Sequence, residues 1–180
     1  MGRKFFMSFI IWMTGLPCSG KTTIAKKLSE HIFNLAILDG DEMRELLSPN
    51  DDFSRNGIIS HNSKVVNIAK LLLDHGVSVC VSKISPFVEN RDDARKILKD
   101  HNFLEVYVKC SIDSCEKRDV RGMYKKARNG EMSNFIGIHV TYEPPINPEL
   151  VVDTEDSTVD DSVQKILDCI EKNRLSKNTK

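Results

Sequence analysis

The sequence predicts an α/β fold of the doubly wound kind, in which a parallel sheet carries helices on both faces. Short apolar runs alternate along the chain with segments whose apolar residues recur at helical spacing. A glycine-rich segment, residues 15–22, stands between the first apolar run and the first helical pattern. The length of 180 residues suits one domain, so we expect residues 1–180 to form a single unit.

Periodicity predicts the individual elements. The apolar runs predict strands over residues 9–13, 35–38, 77–81, 104–108 and 150–152. Helical spacing predicts helices over residues 21–33, 62–74, 91–98, 111–117 and 159–170, with a short one after Asp41. Residues 119–148 are polar and rich in glycine and proline, and their length favours a functional lid. The charged tail from Glu171 is expected to fray.

Charge and cysteine content narrow the function classes. Lys+Arg and Asp+Glu both total 26, which argues against a nucleic-acid-binding or membrane-surface protein. The apolar stretch at residues 5–12 is too short to span a bilayer, so it is interpreted as a buried strand. Five cysteines without paired spacing predict reduced thiols and a cytoplasmic location. Cys18 has two interpretations, a redox-sensitive thiol or a small residue in a confined position.

The glycine-rich segment reads Gly-x4-Gly-Lys-Thr, which predicts a P-loop that binds the phosphates of a nucleoside triphosphate. Glycines let the backbone wrap around an anion, and the N–H groups that open the next helix carry partial positive charge. We expect Lys21 to follow the transferred phosphate and Thr22 to bind Mg²⁺. ATP and Mg²⁺ are therefore the predicted cofactors, held by Gly15, Leu16, Pro17, Cys18, Ser19, Gly20, Lys21, Thr22 and Thr23.

The residues after the second strand separate the P-loop classes. A guanine-reading Asn-Lys-x-Asp is absent from the sequence, and residues 39–44 read Asp-Gly-Asp-Glu-Met-Arg. Further motifs follow in order: Ile-Ser-Pro at 84–86, Tyr-Lys-Lys-Ala-Arg-Asn-Gly-Glu at 124–131, Phe-Ile-Gly-Ile at 135–138, and Tyr-Glu-Pro-Pro-Ile-Asn-Pro-Glu at 142–149. With these motifs the chain resembles the adenylylsulfate kinase family from residue 10 to residue 154.

The resemblance implies a P-loop NTPase fold and an ATP-dependent kinase that phosphorylates the 3′-hydroxyl of adenylyl sulfate. It implies that Asp41 acts beside this hydroxyl, as general base or through a magnesium-bound water, and a carboxylate suits that task. A helix cap is the alternative role for Asp41. Ser85 matches a serine that, in this family, is often described as a phosphorylated intermediate. Direct in-line transfer does not require such an intermediate.

The resemblance also assigns residues to the acceptor, which is expected to be a small-molecule nucleotide. Arg44 would face its phosphate, Phe53 and Phe135 would stack on its base, and Ile84 would line its pocket. Four cations belong to the predicted lid: Arg118, Arg121, Lys125 and Arg128. They would clamp phosphates when the lid closes, with Arg118 on the ATP side. The alternative is that some of them form a solvated basic face. The family is often dimeric, so a homodimer is a further prediction.

The acceptor side departs from the family pattern Phe-Ser-x-x-Asp-Arg-x-x-Asn. Ungapped alignment from Phe53 puts Gly57, Ile58 and His61 at the Asp, Arg and Asn positions, and Lys83 stands where a Phe is usual. Replacing Arg by Ile removes a charge-assisted contact to an anion. Lys83 either restores a cation from another direction or faces away, and we include it with Ile58 and His61 among the predicted acceptor-binding residues.

Three functions remain open at this point. The chain is a divergent adenylylsulfate kinase, or a kinase of a related nucleotide such as a cytidine diphosphoramidate used in capsule modification, or a nucleotide sensor without transfer activity. The retained Lys21, Thr22 and Asp41 argue against the sensor.

Overall fold

A five-stranded parallel sheet forms the centre of the molecule. The computed structural model describes residues 8–50 and 53–177. Within these residues the strands are β1 (Phe9–Thr14), β2 (Leu35–Asp39), β3 (Ser78–Ser82), β4 (Asn102–Lys109) and β5 (Leu150–Asp153). They lie in the order β2-β3-β1-β4-β5, and every neighbouring pair is parallel. The predicted doubly wound parallel sheet is confirmed.

Helices cover both faces of this sheet. They are α1 (Lys21–His31), α2 (Gly40–Leu47), α3 (Arg55–Asp74), α4 (Val88–Ile97), α5 (Ile112–Lys117), α6 (Met123–Arg128) and α7 (Val159–Lys177). Helices α1 and α7 share one apolar cluster with the sheet, and α3 and α4 share another on the opposite face. In the described part of the chain, no helix combines the length and the apolar character needed to cross a bilayer.

Strand β1 is the central element because both of its faces are buried. Ile11 and Met13 belong to the cluster under α1, whereas Ile10 and Trp12 belong to the cluster under α3. Ile11 lies between Cys80 of β3 and Leu104 of β4 in the sheet. A strand buried in this way holds the loop that follows it at the carboxyl edge of the sheet, where open α/β sheets bind ligands.

The structure differs from the sequence prediction at several element ends. Helix α3 begins at Arg55 instead of residue 62, and α7 continues to Lys177, past the predicted fraying point at Glu171. The segment 119–148 contains the helix α6, which its polar composition did not predict. Residues 5–7 of the predicted first apolar stretch lie outside the described residues.

Ser54 explains the early start of α3. Its side-chain oxygen accepts a hydrogen bond from Gly57 N at 3.1 Å, which satisfies one of the free N–H groups of the first turn. Gly57 has low helix propensity, and this weakened the helical pattern in the sequence.

We predict that Ser54→Ala lowers the free energy of unfolding by about 1 kcal/mol, because it removes the cap of α3. Denaturant unfolding measures this change, and Ser60→Ala on the exposed face of the same helix is the control. A helix that begins only near residue 62 would leave the stability of both variants unchanged.

Candidate active site

The P-loop turns tightly at the carboxyl edge of the sheet, between β1 and α1. Gly15 has a positive φ of 155°, and a Cβ atom there would collide with the backbone oxygen of Val108 and lie 2.9 Å from Ser19 Oγ. Gly20 also has a positive φ, 100°, and it precedes the first turn of α1. Glycine is required at Gly15 by space as well as by conformation.

Lys21 lies inside this loop and is 7% exposed. Its Nζ donates to Leu16 O at 2.7 Å and to Gly15 O at 3.0 Å, with Ser19 Oγ at 3.3 Å. Burial lowers the pKa of Lys21 to about 8. An anion in the loop would stabilise the charged form of this lysine, as the sequence predicts for a phosphate.

Oxygen atoms from three elements converge next to the loop. Thr22 Oγ1 donates to Asp39 Oδ2 at 2.7 Å, and it lies 3.4 Å from Ser82 Oγ. Carboxylate and hydroxyl oxygens are the ligands that Mg²⁺ prefers, directly or through its water shell. The sequence pattern predicts only Thr22 at this position. Asp39, an acid at the end of a buried strand, is the sequence feature from which a further residue of the site could have been predicted.

Asp39 and Asp41 both belong to the start of α2 but face different partners. Asp39 Oδ1 accepts from Asp41 N at 3.0 Å, so Asp39 caps the helix. Asp41 Oδ2 accepts from Arg121 Nη1 at 2.8 Å, and both of these side chains are exposed. The helix-cap role considered for Asp41 belongs to Asp39, and the Asp41 carboxylate is accessible to a substrate.

Arg118 is tied to the end of β5, on the outer side of the P-loop. It donates to Thr154 O at 2.7 Å and to Thr154 Oγ1 at 3.0 Å, and Thr154 Oγ1 donates in turn to Ser19 O at 3.1 Å. Arg118 is therefore coupled to the loop, on the side predicted for ATP. Thr154 is a site residue that the sequence analysis missed, because a single threonine after a strand carries no signal.

The predicted lid segment packs directly on the P-loop. Tyr124 Oη donates to Pro17 O at 3.0 Å, and Tyr124 meets Phe135 edge to face with 4.9 Å between ring centroids. Leu16 and Cys18 pack against the same cluster. Burial, with Asp119 as the second cause, raises the pKa of the Cys18 thiol, and this favours a packing role over a redox role for Cys18.

The two aromatic residues predicted to stack on the acceptor lie in different surroundings. Phe53 is 51% exposed, and the guanidinium of Arg44 lies 4.4 Å from its ring centroid. Phe135 is 6% exposed within the cluster around Tyr124. Stacking of both rings on one base would require Phe135 to leave this cluster.

An open cavity of about 360 Å³ adjoins Phe53 and Ile58. Ile58 is buried with Phe87, Ile136 and Tyr142. The cavity is lined by Phe53, Ser54, Arg55, Ile58, Phe87, Asn134, His139, Val140, Thr141 and Glu143. Its wall at Ile58 is apolar, so the position at which the family pattern has an arginine contributes no charge here.

Ser85 occupies a strained turn after β3. It is 1% exposed and has a positive φ of 43°, and its Oγ is enclosed with no hydrogen-bond partner among the residues that the structure describes. Its carbonyl oxygen accepts from Arg91 Nη1 at 2.6 Å. No described residue serves as a base for Ser85 Oγ. The hydrogen bond that ties Ser85 to the site is made by its backbone carbonyl and not by its hydroxyl.

Arg91 holds this turn and was not found from the sequence. It is 2% exposed, its Nη2 donates to Glu143 O at 2.7 Å, and its Nε lies 3.0 Å from Glu105 Oε1. Arg91 therefore joins the Ile-Ser-Pro turn to the end of the lid segment. An arginine within a charged helix resembles a surface residue in sequence, which is why it was overlooked.

The remaining predicted residues divide into exposed and enclosed groups. Thr23 and Lys125 are exposed, and Arg128 is paired with Glu116 on α5. His61 is 1% exposed, with Nδ1 3.1 Å from Ser48 Oγ, so it joins α3 to the end of α2. Lys83 is buried directly after β3, beside Ile84, whose carbonyl oxygen accepts from Thr14 Oγ1 at 2.6 Å.

The parallel sheet, the P-loop and the acids at the start of α2 define a P-loop phosphotransferase. A family model described as adenylylsulphate kinase matches residues 7–153. The chain belongs to this family, whose members transfer phosphate to a hydroxyl acceptor.

Individual relatives agree with this assignment. The chain is 44% identical to a probable adenylyl-sulfate kinase of Halalkalibacterium halodurans, over 91% of this chain and 83% of the relative. It is 43% identical to an adenylyl-sulfate kinase of Oceanobacillus iheyensis, over 89% and 82% of the two chains. The solved structure of the Mycobacterium tuberculosis APS kinase in complex with AMPPNP and APS has a TM-score of 0.88, 34% identity, and coverage of 92% and 98%.

We predict that Gly15→Ala weakens ATP binding more than tenfold, because the added methyl group collides with the Val108 carbonyl and displaces the loop. Calorimetric titration with a non-hydrolysable ATP analogue measures the affinity. Gly130→Ala is the matched control, since Gly130 also has a positive φ, 76°, but no atom lies within 4 Å of its added Cβ. Equal affinity for both variants would contradict the prediction.

Proposed function

We propose that this protein transfers the γ-phosphoryl group of ATP to the 3′-hydroxyl of a nucleotide, with adenylyl sulfate as the first candidate acceptor. The observation that carries the proposal is the adjacency of Thr22, Asp39 and Asp41, because it brings the phosphate loop and an accessible carboxylate to one edge of the sheet. The adenylyl-sulfate kinases among its relatives and the similar kinase structure in complex with APS support the choice of acceptor.

On the donor side, the loop from Gly15 to Thr22 binds the phosphates through backbone N–H groups and Lys21. Arg118 and Thr154 bound the same region on the outer side of the loop. Lys21 exchanges its loop carbonyl contacts for phosphate oxygens and stabilises the charge that develops on the transferred group.

Thr22 is the residue that would hold Mg²⁺, with Asp39 and Ser82 beside it to orient the ion and its waters. When bound, Mg²⁺ neutralises charge on the phosphates of ATP. The fit of the ion rests on the convergence of these three oxygen-bearing side chains.

On the acceptor side, Asp41 is the group that accepts the proton of the attacking hydroxyl. Its ion pair with Arg121 is exposed at both ends, and such a pair contributes only about 0–1 kcal/mol. Arg121 can therefore leave Asp41 for a phosphate oxygen when substrates bind. This exchange would couple the position of the 119–148 segment to occupation of the site.

A second candidate acceptor is a nucleotide with a different base or terminal group, such as a cytidine diphosphoramidate. The specific observation in its favour is the apolar environment of Ile58, which offers no cation where the family pattern has one. An acceptor whose terminal group relies less on a cation at this position would lose less from this change.

A panel of acceptors tests the proposal. Purified protein is incubated with ATP and Mg²⁺ and with adenylyl sulfate, CDP, cytidine diphosphoramidate, gluconate or shikimate, and ADP release is followed. Saturable turnover with adenylyl sulfate at about micromolar concentration supports the first candidate. Turnover with the cytidine nucleotide alone would replace it, and ATP binding without turnover on any nucleotide would overturn the kinase proposal.

We predict that Asp41→Asn lowers kcat by about 10²–10⁴-fold with a small change in the KM for ATP, because the amide cannot accept the hydroxyl proton. Steady-state kinetics with the acceptor that turns over measures both constants. Lys21→Ala, which removes the phosphate-binding ammonium, serves as the reference for complete loss of transfer. A kcat within threefold of the unaltered enzyme would exclude Asp41 as the base.

We further infer a reducing, cytoplasmic location and a homodimeric assembly. All of the cysteines are free, which supports the first inference. Light scattering of the purified protein tests the second.

A further inference from the structure

Lys83 is a buried lysine whose ammonium makes no hydrogen bond or ion pair with any described residue. Lys83 is 7% exposed. Its Cγ lies 3.2 Å from the position that a Cβ on Gly40 would occupy, so the aliphatic part is packed against the first turn of α2. Lys83 therefore buries its methylene chain while its charge remains without a partner.

The surroundings of Lys83 increase the cost of this arrangement. Burial lowers the pKa of Lys83 well below its usual value, and the positive charge of Arg44 on α2 lowers it further. The carboxylates of Asp39 and Asp41, within the described residues, do not compensate, because Asp39 is bound to Thr22 and the backbone of α2, and Asp41 is bound to Arg121.

The position of Lys83 relates it to the acceptor. The residue before it is Ser82, whose Oγ lies 3.4 Å from Thr22 Oγ1 at the phosphate site. The residue after it, Ile84, packs against the cluster that contains Ile58. The guanidinium of Arg44, on α2, lies 4.4 Å from the ring centroid of Phe53. Lys83 thus lies between a residue of the phosphate site and a residue of the predicted acceptor side, within the electrostatic reach of Arg44.

We propose that Lys83 and Arg44 together bind the anionic group of the acceptor nucleotide, so that Lys83 supplies, from the segment directly after β3, the positive charge that Ile58 does not supply from α3. This inference rests on the proposed function. A buried ammonium is expensive unless an anion pairs with it, and a bound phosphate or sulfonate oxygen would be that anion. Lys83 is then a determinant of which acceptor the enzyme accepts.

The test combines acceptor binding with stability in Lys83→Met, which keeps the length of the side chain and removes its charge. Protein saturated with ADP and Mg²⁺, so that the P-loop is occupied, is titrated calorimetrically with adenylyl sulfate. We expect the affinity to fall about 10–100-fold and the KM for the acceptor to rise in parallel, with the KM for ATP unchanged. Lys96→Met, which removes an exposed lysine of α4, is the control.

A further measurement separates a binding role from a packing role. Removing an unpaired buried charge should raise the melting temperature of Lys83→Met by a few degrees, whereas loss of a structural lysine would lower it.

The outcomes distinguish the inference from the proposed function. Unchanged acceptor affinity in Lys83→Met, or a lower melting temperature with unchanged affinity, overturns the role of Lys83 even if transfer is normal. Binding that depends on Lys83 without phosphoryl transfer supports the role and refutes the kinase proposal. If adenylyl sulfate does not bind, the cytidine nucleotides are titrated in the same way, and failure of all of them overturns both.

Discussion

The close approach of the P-loop to the end of β4 is the constraint on which the rest of the site depends. Gly15 leaves β1 directly against the Val108 carbonyl, so the loop folds back over the edge of the sheet. This path brings Oγ1 of Thr22, at the start of α1, to 2.7 Å from Oδ2 of Asp39 at the end of β2. A larger residue at the turn would move α1 away from β2 and separate the two halves of the site.

Helix α2 connects the donor and acceptor sides because successive residues at its start face in different directions. Asp39 turns toward Thr22 and at the same time caps the helix, and this fixes the orientation of the next residues. Asp41 then faces Arg121 of the lid segment, and Arg44 lies one turn further along, against Phe53. The short helix thereby sets the distance between the phosphate loop and the proposed acceptor site.

The sequence was sufficient for the elements whose signals are local. Strand β1 and the P-loop could be predicted because a buried parallel strand and a glycine-rich turn each require particular residue types. The roles of Arg91 and Thr154 could not, since they depend on contacts with residues 52 and 135 positions away, respectively. Helix α6 was missed because its buried residues, Tyr124 and Ala127, are too few to form a visible period.

Two buried lysines at the same sheet edge differ in how their positive charge is compensated. Lys21 is surrounded by carbonyl and hydroxyl oxygens of the loop, which compensate its burial before any phosphate binds. Lys83 has no such oxygen partners in the described part of the chain, and the positive charge of Arg44 acts on it. A fold retains an arrangement of this kind at a site where a ligand supplies the missing charge, since perturbed ionisable groups concentrate at functional sites. The contrast places the uncompensated charge on the proposed acceptor side rather than on the ATP side.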